Sequence, residues 1–280
     1  MLAICGLPTL SQHTNFKQLI RLVSVLNTPD VTFFIHIDKK SPAEVYETAS
    51  RELRVCANVY FLERHVCHWG DFGHVLATVR GISQICERNT PLDYAILLTG
   101  QDYTIKSNSH IKQYLEQSQG KSYLDYNALP HADWPSGGFD RVNRYHFRVL
   151  RIRLSLPRLR KFPFDMKLFG GSSYWCLSKE CVEYVYRFVQ QHKGFVNYFS
   201  HVAVPDEIFF QTILLNSDLA STIVNDDLRH VDWTENRNSP ATLTSDDLDS
   251  LIRSEKLFAR KFDTSIDSTV LDRIDKRNAE

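Results

Sequence analysis

Three short stretches carry side chains suited to group transfer. Pro205-Asp206-Glu207 offers a carboxylate able to take a proton as a general base, beside the strand residue Trp175 and a buried helix. Phe258-Ala259-Arg260-Lys261-Phe262 sets two cations between apolar anchors that fix their direction. Fixed cations are what a leaving diphosphate needs where no metal neutralises it. Thr99-Gly100-Gln101-Asp102-Tyr103 follows the apolar run Ala95 to Leu98, and Gly100 allows close approach of the backbone to a ligand. Ligands of open α/β sheets bind beyond such strand ends. Each stretch also has a bland account. Acids are favoured in a first helical turn by the macrodipole alone, and an Asp at a strand end closes an Asx-turn.

The same residues bear on metals. One carboxylate beside an amide is a poor holder for a hard cation, which takes several oxygens. Asp247-Leu248-Asp249 is a literal Asp-x-Asp, expected on the solvated face of a helix after a Ser cap. The eleven histidines form no H-E-x-x-H or H-x-x-x-H pair. No metal site and no cofactor is expected. A nucleophile elbow, a dinucleotide fingerprint and a P-loop are all absent.

The elements that must position these residues follow from hydrophobic periodicity. Strands are predicted at Leu2 to Leu7, Val31 to Asp38, Val59 to Leu62 and Ala95 to Thr99, with helices at Phe16 to Leu26 and Gly73 to Cys86. Ser41-Pro42-Ala43-Glu44 reads as a capping box with Pro42 at the first helical position. This alternation predicts an α/β fold with a mainly parallel central sheet flanked by helices. Asp38 closes the second strand, either as a solvated turn or as an acceptor for a uracil or ribose.

The second half is less regular. His131 to Phe139 is a turn-rich loop holding Trp134, and Arg141 to Lys167 is strongly basic, opening with Arg141 and Arg144. A strand is predicted at SSYWCLS, a helix at Glu180 to Gln191, and another helix opening at Pro205. LRHVDW, which holds Arg229, reads as a strand and Ser245 to Arg253 as a short helix. Either Trp could stack on a sugar face. Trp134 on its loop is favoured, and Trp175 is as readily a core residue.

Composition sets the broad class. Lys plus Arg and Asp plus Glu stand at 33 each in 280 residues, so the overall balance points to neither a nucleic-acid nor a membrane partner. The six cysteines form no C-x-x-C pair and read as reduced thiols of a cytosolic protein. MLAICGLPTL is too short an apolar run for a signal peptide, and no run approaches the roughly 20 residues of a membrane span.

Seven blocks, in order from Val31 to Asp263, resemble the core-2/I-branching enzyme family, which includes peptide O-xylosyltransferases. They are FFIHIDKKS, HWGDFGHVLA, YAILLTGQDYTIKSN, GGSSYWCLSKECVEYV, VPDEIFFQTILLNS, LRHVDW and LFARKFD. The resemblance implies a GT-A-type fold in a single domain, with a nucleotide-sugar half over 1–127 and an acceptor and catalytic half over 128–280. It implies inverting, metal-independent transfer from a UDP-sugar, with N-acetylglucosamine or xylose as the sugar. Glu207 matches the catalytic base, Lys261 the cation on the diphosphate, Arg229 its partner and Asp38 the nucleotide-binding acid. Gln101 and Asp102, with Tyr103 beside them, match the pocket near donor and acceptor.

Departures from the family pattern shape further expectations. The chain begins almost at the first strand, and no extracellular disulfide framework is evident. A bacterial, cytoplasmic member is expected, acting on a glycan, lipid-linked or lipopolysaccharide-type acceptor. GLPTLSQ replaces the usual polar lead after the first strand. The basic segment 141–167 is either a solvated excursion or a surface for an anionic acceptor or the inner face of a membrane. The rival class is a non-catalytic glycan-binding or scaffold protein on the same fold. A glycoside hydrolase using Asp206 and Glu207 ranks last, since neighbours on a helix diverge by about 100°.

Overall fold

The computed structural model describes residues 2–7, 16–150, 152–234 and 239–279, with backbone alone for 2–7 and 157–159. Most of the GLPTLSQ lead, residues 8–12, and Arg151 of the basic segment lie outside the described residues. The chain forms two compact units, one of residues 1–64, 94–119 and 228–280 and the other of 65–93 and 120–227. It leaves and re-enters each unit, so the division is not a single cut near residue 127.

In the first unit four parallel strands lie in the order Tyr94–Thr99, Leu2–Leu7, Thr32–Ile37 and Val59–Phe61. Phe33 to Ile37 are buried without a break, the pattern of a strand covered on both faces. Helix Phe16–Leu26 turns Leu19, Leu22, Val23 and Leu26 inward at helical spacing. Each such side chain contributes about 1.5–3 kcal/mol on burial.

Helix Ala43–Leu53 begins one residue later than predicted. Pro42 is its extended N-cap residue, with no side-chain cap, and its carbonyl accepts the amides of Val45 and Tyr46. Ser41 therefore lies one position too early for its hydroxyl to serve as the cap. A second sheet joins Arg229–Val231 in parallel to Phe258–Arg260, which pairs antiparallel with Asp102–Thr104. That register sets Arg260 opposite Asp102.

The Asp-x-Asp stretch starts a helix, as expected, but its cap is Thr244. The Asp247 carboxylate accepts the Thr244 amide at 2.7 Å in a reciprocal capping box ahead of helix Leu248–Arg253.

The second unit holds strand Ser122–Leu124 between Trp175–Ser178, antiparallel to it, and Ile223–Val224, parallel to it. Its core gathers Trp175, Phe195, Phe199, Phe209 and Phe210, all fully buried. Helices Gly73–Glu87 and Lys179–Gln191 pack against each other. The hairpin Arg144–Val149 with Ile152–Leu159 is a two-stranded sheet of its own.

The helix predicted to open at Pro205 is divided. Pro205–Glu207 is a single 3-10 turn, and helix Phe209–Leu215 follows after Ile208, whose φ of −131° breaks the path. Proline at the first position suits such a start because it has no amide hydrogen to leave unpaired. Glu207 thus ends a tight turn ahead of the buried helix. Among the described residues Cys56, Cys86 and Cys181 are free thiols. Among the described residues no helix is long and apolar enough to cross a membrane.

Candidate active site

Glu207 lies in the second unit, on the 3-10 turn Pro205–Glu207. Its side chain is 33% exposed, and Arg141 Nη1 donates to its Oε2 at 2.6 Å. Burial, and then the neighbouring Asp206 carboxylate, push the Glu207 carboxyl up to about 6, while Arg141 pulls the other way. The Arg141 guanidinium lies 4.0 Å from the centroid of the Trp134 ring. A cation stacked on an aromatic face loses rotational freedom, so Trp134 aims Arg141 at the carboxylate.

The Gly170-Gly171-Ser172-Ser173 run closes the other sides. A Cβ on Gly170 would fall 2.6 Å from the Trp134 ring, and one on Gly171 would fall 2.1 Å from the Asp125 carbonyl oxygen. Only glycine allows these approaches. The Gly171 amide donates to the Glu207 carbonyl at 2.9 Å and the Ser172 amide to the Asp125 carboxylate at 2.9 Å. Ser173 Oγ donates to Asp206 Oδ2 at 2.9 Å. The other Asp206 oxygen, Oδ1, is buried with no hydrogen-bond partner among the described residues. Burial also raises the Asp125 carboxyl, with Asp227 and Asp226 adding to the effect.

A carboxylate placed in this way is ionised at neutral pH and still basic enough to accept a hydroxyl proton as that hydroxyl attacks. Arg141 favours its charged form; burial and Asp206 raise its basicity.

In the first unit Asp102 is fully buried. Its Oδ2 accepts the Thr99 amide at 2.6 Å and its Oδ1 faces Arg260 Nη1 at 3.5 Å. The carboxylate therefore closes the turn at the strand end and compensates a buried guanidinium, whose pKa burial lowers. Beside Arg260, Lys261 is partly exposed and its Nζ donates to Ser239 Oγ at 3.3 Å. The Gln101 carbonyl accepts the Phe262 amide at 2.8 Å, which ties the TGQDY turn to the FARKF strand.

Four of the predicted site residues are buried. Trp175 is fully buried against Phe210, with ring centroids 5.8 Å apart, so no sugar can stack on it. Tyr103 is buried too. Its hydroxyl donates to Asp275 at 2.7 Å and accepts from Arg21 at 3.2 Å, fastening the C-terminal helix Thr269–Ala279. Arg229 is buried, donates to the Leu97 carbonyl and lies 5.3 Å from the Phe258 ring centre. Asp38 is buried and accepts the Lys40 amide at 2.8 Å. A strand end fixes where a residue lies in the chain and leaves open whether its side chain turns to solvent or to the core. Arg144 is exposed at the start of the hairpin.

Sequence reasoning passed over Asp125 and Ser173. A signal existed for the first, since Asp125 directly follows the buried strand Ser122–Leu124, the same pattern that singled out Asp38 and Asp102. The Gly-Gly pair before Ser172 was a second sign, because paired glycines mark close backbone approach.

This chain is similar to several known glycosyltransferases by name. A xylosyltransferase of Ciona intestinalis is 25% identical over 92% of this chain and 32% of its own length. Xylosyltransferase 2 of Rattus norvegicus is 26% identical, again over 32% of its length, so this chain spans about a third of these relatives. N-acetyllactosaminide beta-1,6-N-acetylglucosaminyl-transferase of Mus musculus is 27% identical over 90% of this chain and 67% of its own. Among solved structures, a glycosyltransferase involved in glycosylating the major capsid of PBCV-1 aligns with 100% of this chain and 98% of its own at 10% identity. Its TM-score of 0.40 marks a distant likeness. Residues 9–253 match the family model described as Core-2/I-Branching enzyme, and the chain belongs to that family.

Proposed function

We propose that the chain is a glycosyltransferase that moves a sugar, N-acetylglucosamine or xylose, from a UDP-sugar to a hydroxyl of a glycan or glycoconjugate. The observation that carries this reading is the state of Glu207: half-buried on a 3-10 turn, bonded to Arg141 and raised to about 6. The family membership and the names of the relatives support the reaction class.

In the proposed mechanism Glu207 removes the acceptor proton as that oxygen attacks the anomeric carbon from the face opposite UDP. The bond to the diphosphate breaks and the configuration inverts. A positioned base of this kind is typically worth ~10²–10⁴-fold. Lys261, with its partly exposed amine, carries the stabilising charge on the departing diphosphate, while Arg260 beside it is paired with Asp102. Transfer proceeds without a divalent metal, because the TGQDY carboxylate already serves the Thr99 amide and Arg260. The GT-A-type reading, a cytoplasmic site of action and a lipid-linked or lipopolysaccharide-type acceptor belong to the same proposal.

The test is product analysis with a panel of UDP-sugars and glycan acceptors, reading the anomeric configuration of the new linkage. An inverted linkage from one donor is expected. A retained configuration would overturn the base assignment. Sugar binding without any transfer, equal in the wild type and Glu207→Gln, would favour a glycan-binding protein on the same fold.

A further inference from the structure

The hairpin Arg144–Val149 with Ile152–Leu159 has two unlike ends. At its base it is fastened to the second unit. The His146 amide donates to the His201 carbonyl at 3.0 Å, Tyr145 stacks on His201 at 4.0 Å, and the Arg160 amide donates to the Asn143 carbonyl at 2.7 Å. Such support matters, since an isolated two-stranded hairpin is marginal in water.

The other end is aliphatic and open. Leu150 is 90% exposed, Ile152 65% and Val149 48%. Leu150 also holds φ +55°, a region that hairpin turns normally give to Asn or Gly. Turn chemistry alone does not account for a leucine there. Three exposed aliphatic side chains, Val149, Leu150 and Ile152, at one hairpin tip are the kind of apolar surface that marks an interaction site.

Charge says what kind of partner fits. The hairpin from Arg144 to Leu159 has five arginines and no acid. Asp71 neutralises Arg148, but Arg153 spends its contacts on the neutral Gly70 carbonyl and the ring of Trp69, which is itself well exposed. Its charge remains. A second copy of this chain would bring the same positive charge to the contact. An aliphatic tip with arginines and an exposed tryptophan suits the boundary between acyl chains and anionic headgroups.

We propose that the Arg144–Leu159 hairpin docks this protein on an anionic lipid bilayer, with Val149, Leu150 and Ile152 entering the interface and Arg153 held at the headgroups. The inference is independent of the role given to Glu207.

The experiment is co-sedimentation of the full chain with phosphatidylcholine vesicles, with and without phosphatidylglycerol. The wild type is expected to bind the phosphatidylglycerol vesicles, and less so as salt rises. Leu150→Glu with Ile152→Glu is expected to lower that partition at least about tenfold at an unchanged melting temperature, since both sites are exposed. No binding by the wild type, or equal binding by the double variant, would overturn the proposal. Loss of a wild-type dimer in the double variant, with neither form bound to vesicles, would overturn it in favour of a contact between copies.

Discussion

Arg141 and Glu207 meet at 2.6 Å, and the guanidinium that makes the contact is stacked on Trp134. The pair opposes two influences. Burial and Asp206 make the carboxylate more basic, while Arg141 keeps it charged. A general base needs both properties, because a fully solvated carboxylate is a weaker base and a protonated carboxyl already carries the proton it would have to accept.

The first prediction concerns the acid limb of activity. Glu207 must be ionised, so kcat/KM is expected to fall below an apparent pKa of about 6. Arg141→Ala removes the cation that favours ionisation and should move that limb to higher pH. Asp206→Asn removes a like charge and should move it lower. Shifts in one direction for both variants would contradict the account.

Protein stability should respond to the same group. The folded-state pKa of Glu207 lies above the ordinary carboxyl value, so between about 4.5 and 6 the folded chain binds more protons than the unfolded one. Stability from this group is fully present below that window and declines as pH rises through it. Thermal melts of the wild type relative to Glu207→Gln are expected to show the wild type gaining ground as pH falls from about 7 to about 5. A flat difference would count against the raised pKa.

The two neighbouring cations of the FARKF strand should separate in their effects. Asp102→Ala leaves Arg260 buried without its carboxylate, and denaturant titration is expected to show a loss of about 3–5 kcal/mol. Lys261→Ala exposes no buried charge and should leave stability near the wild type. It is expected to lower kcat by about a hundredfold if the amine meets the diphosphate. Unchanged kinetics in Lys261→Ala would remove that role.

The two tryptophans should also part. Trp175→Ala is expected to cost about 3–5 kcal/mol of stability, as for other large core truncations. Trp134→Ala releases Arg141 and should act mainly on activity, with a smaller change in melting temperature. The reverse pattern would exchange their assignments.

The alternation of strands and helices was legible because buried strands read as mainly apolar runs, as Phe33 to Ile37, with His36 within it, and Ala95 to Leu98 do. The 3-10 turn at Pro205 was not, since proline and two acids begin an α-helix equally well and only the backbone at Ile208 breaks it. Glu207 was found by type and neighbourhood. Its partner Arg141 was singled out, but the pairing was hidden, because 66 residues separate the two in the chain. Tyr103 and Arg229 show the converse limit. Both are polar groups at strand ends, and both turn inward to partners, Asp275 and the Leu97 carbonyl, that no local pattern reveals.

The most direct measurement is UDP release from the preferred donor in excess EDTA, with wild type and Glu207→Gln side by side. The account predicts turnover that survives the chelator and falls by ~10²–10⁴-fold in the variant. Turnover abolished by EDTA, or a Glu207→Gln enzyme as fast as the wild type, would contradict it.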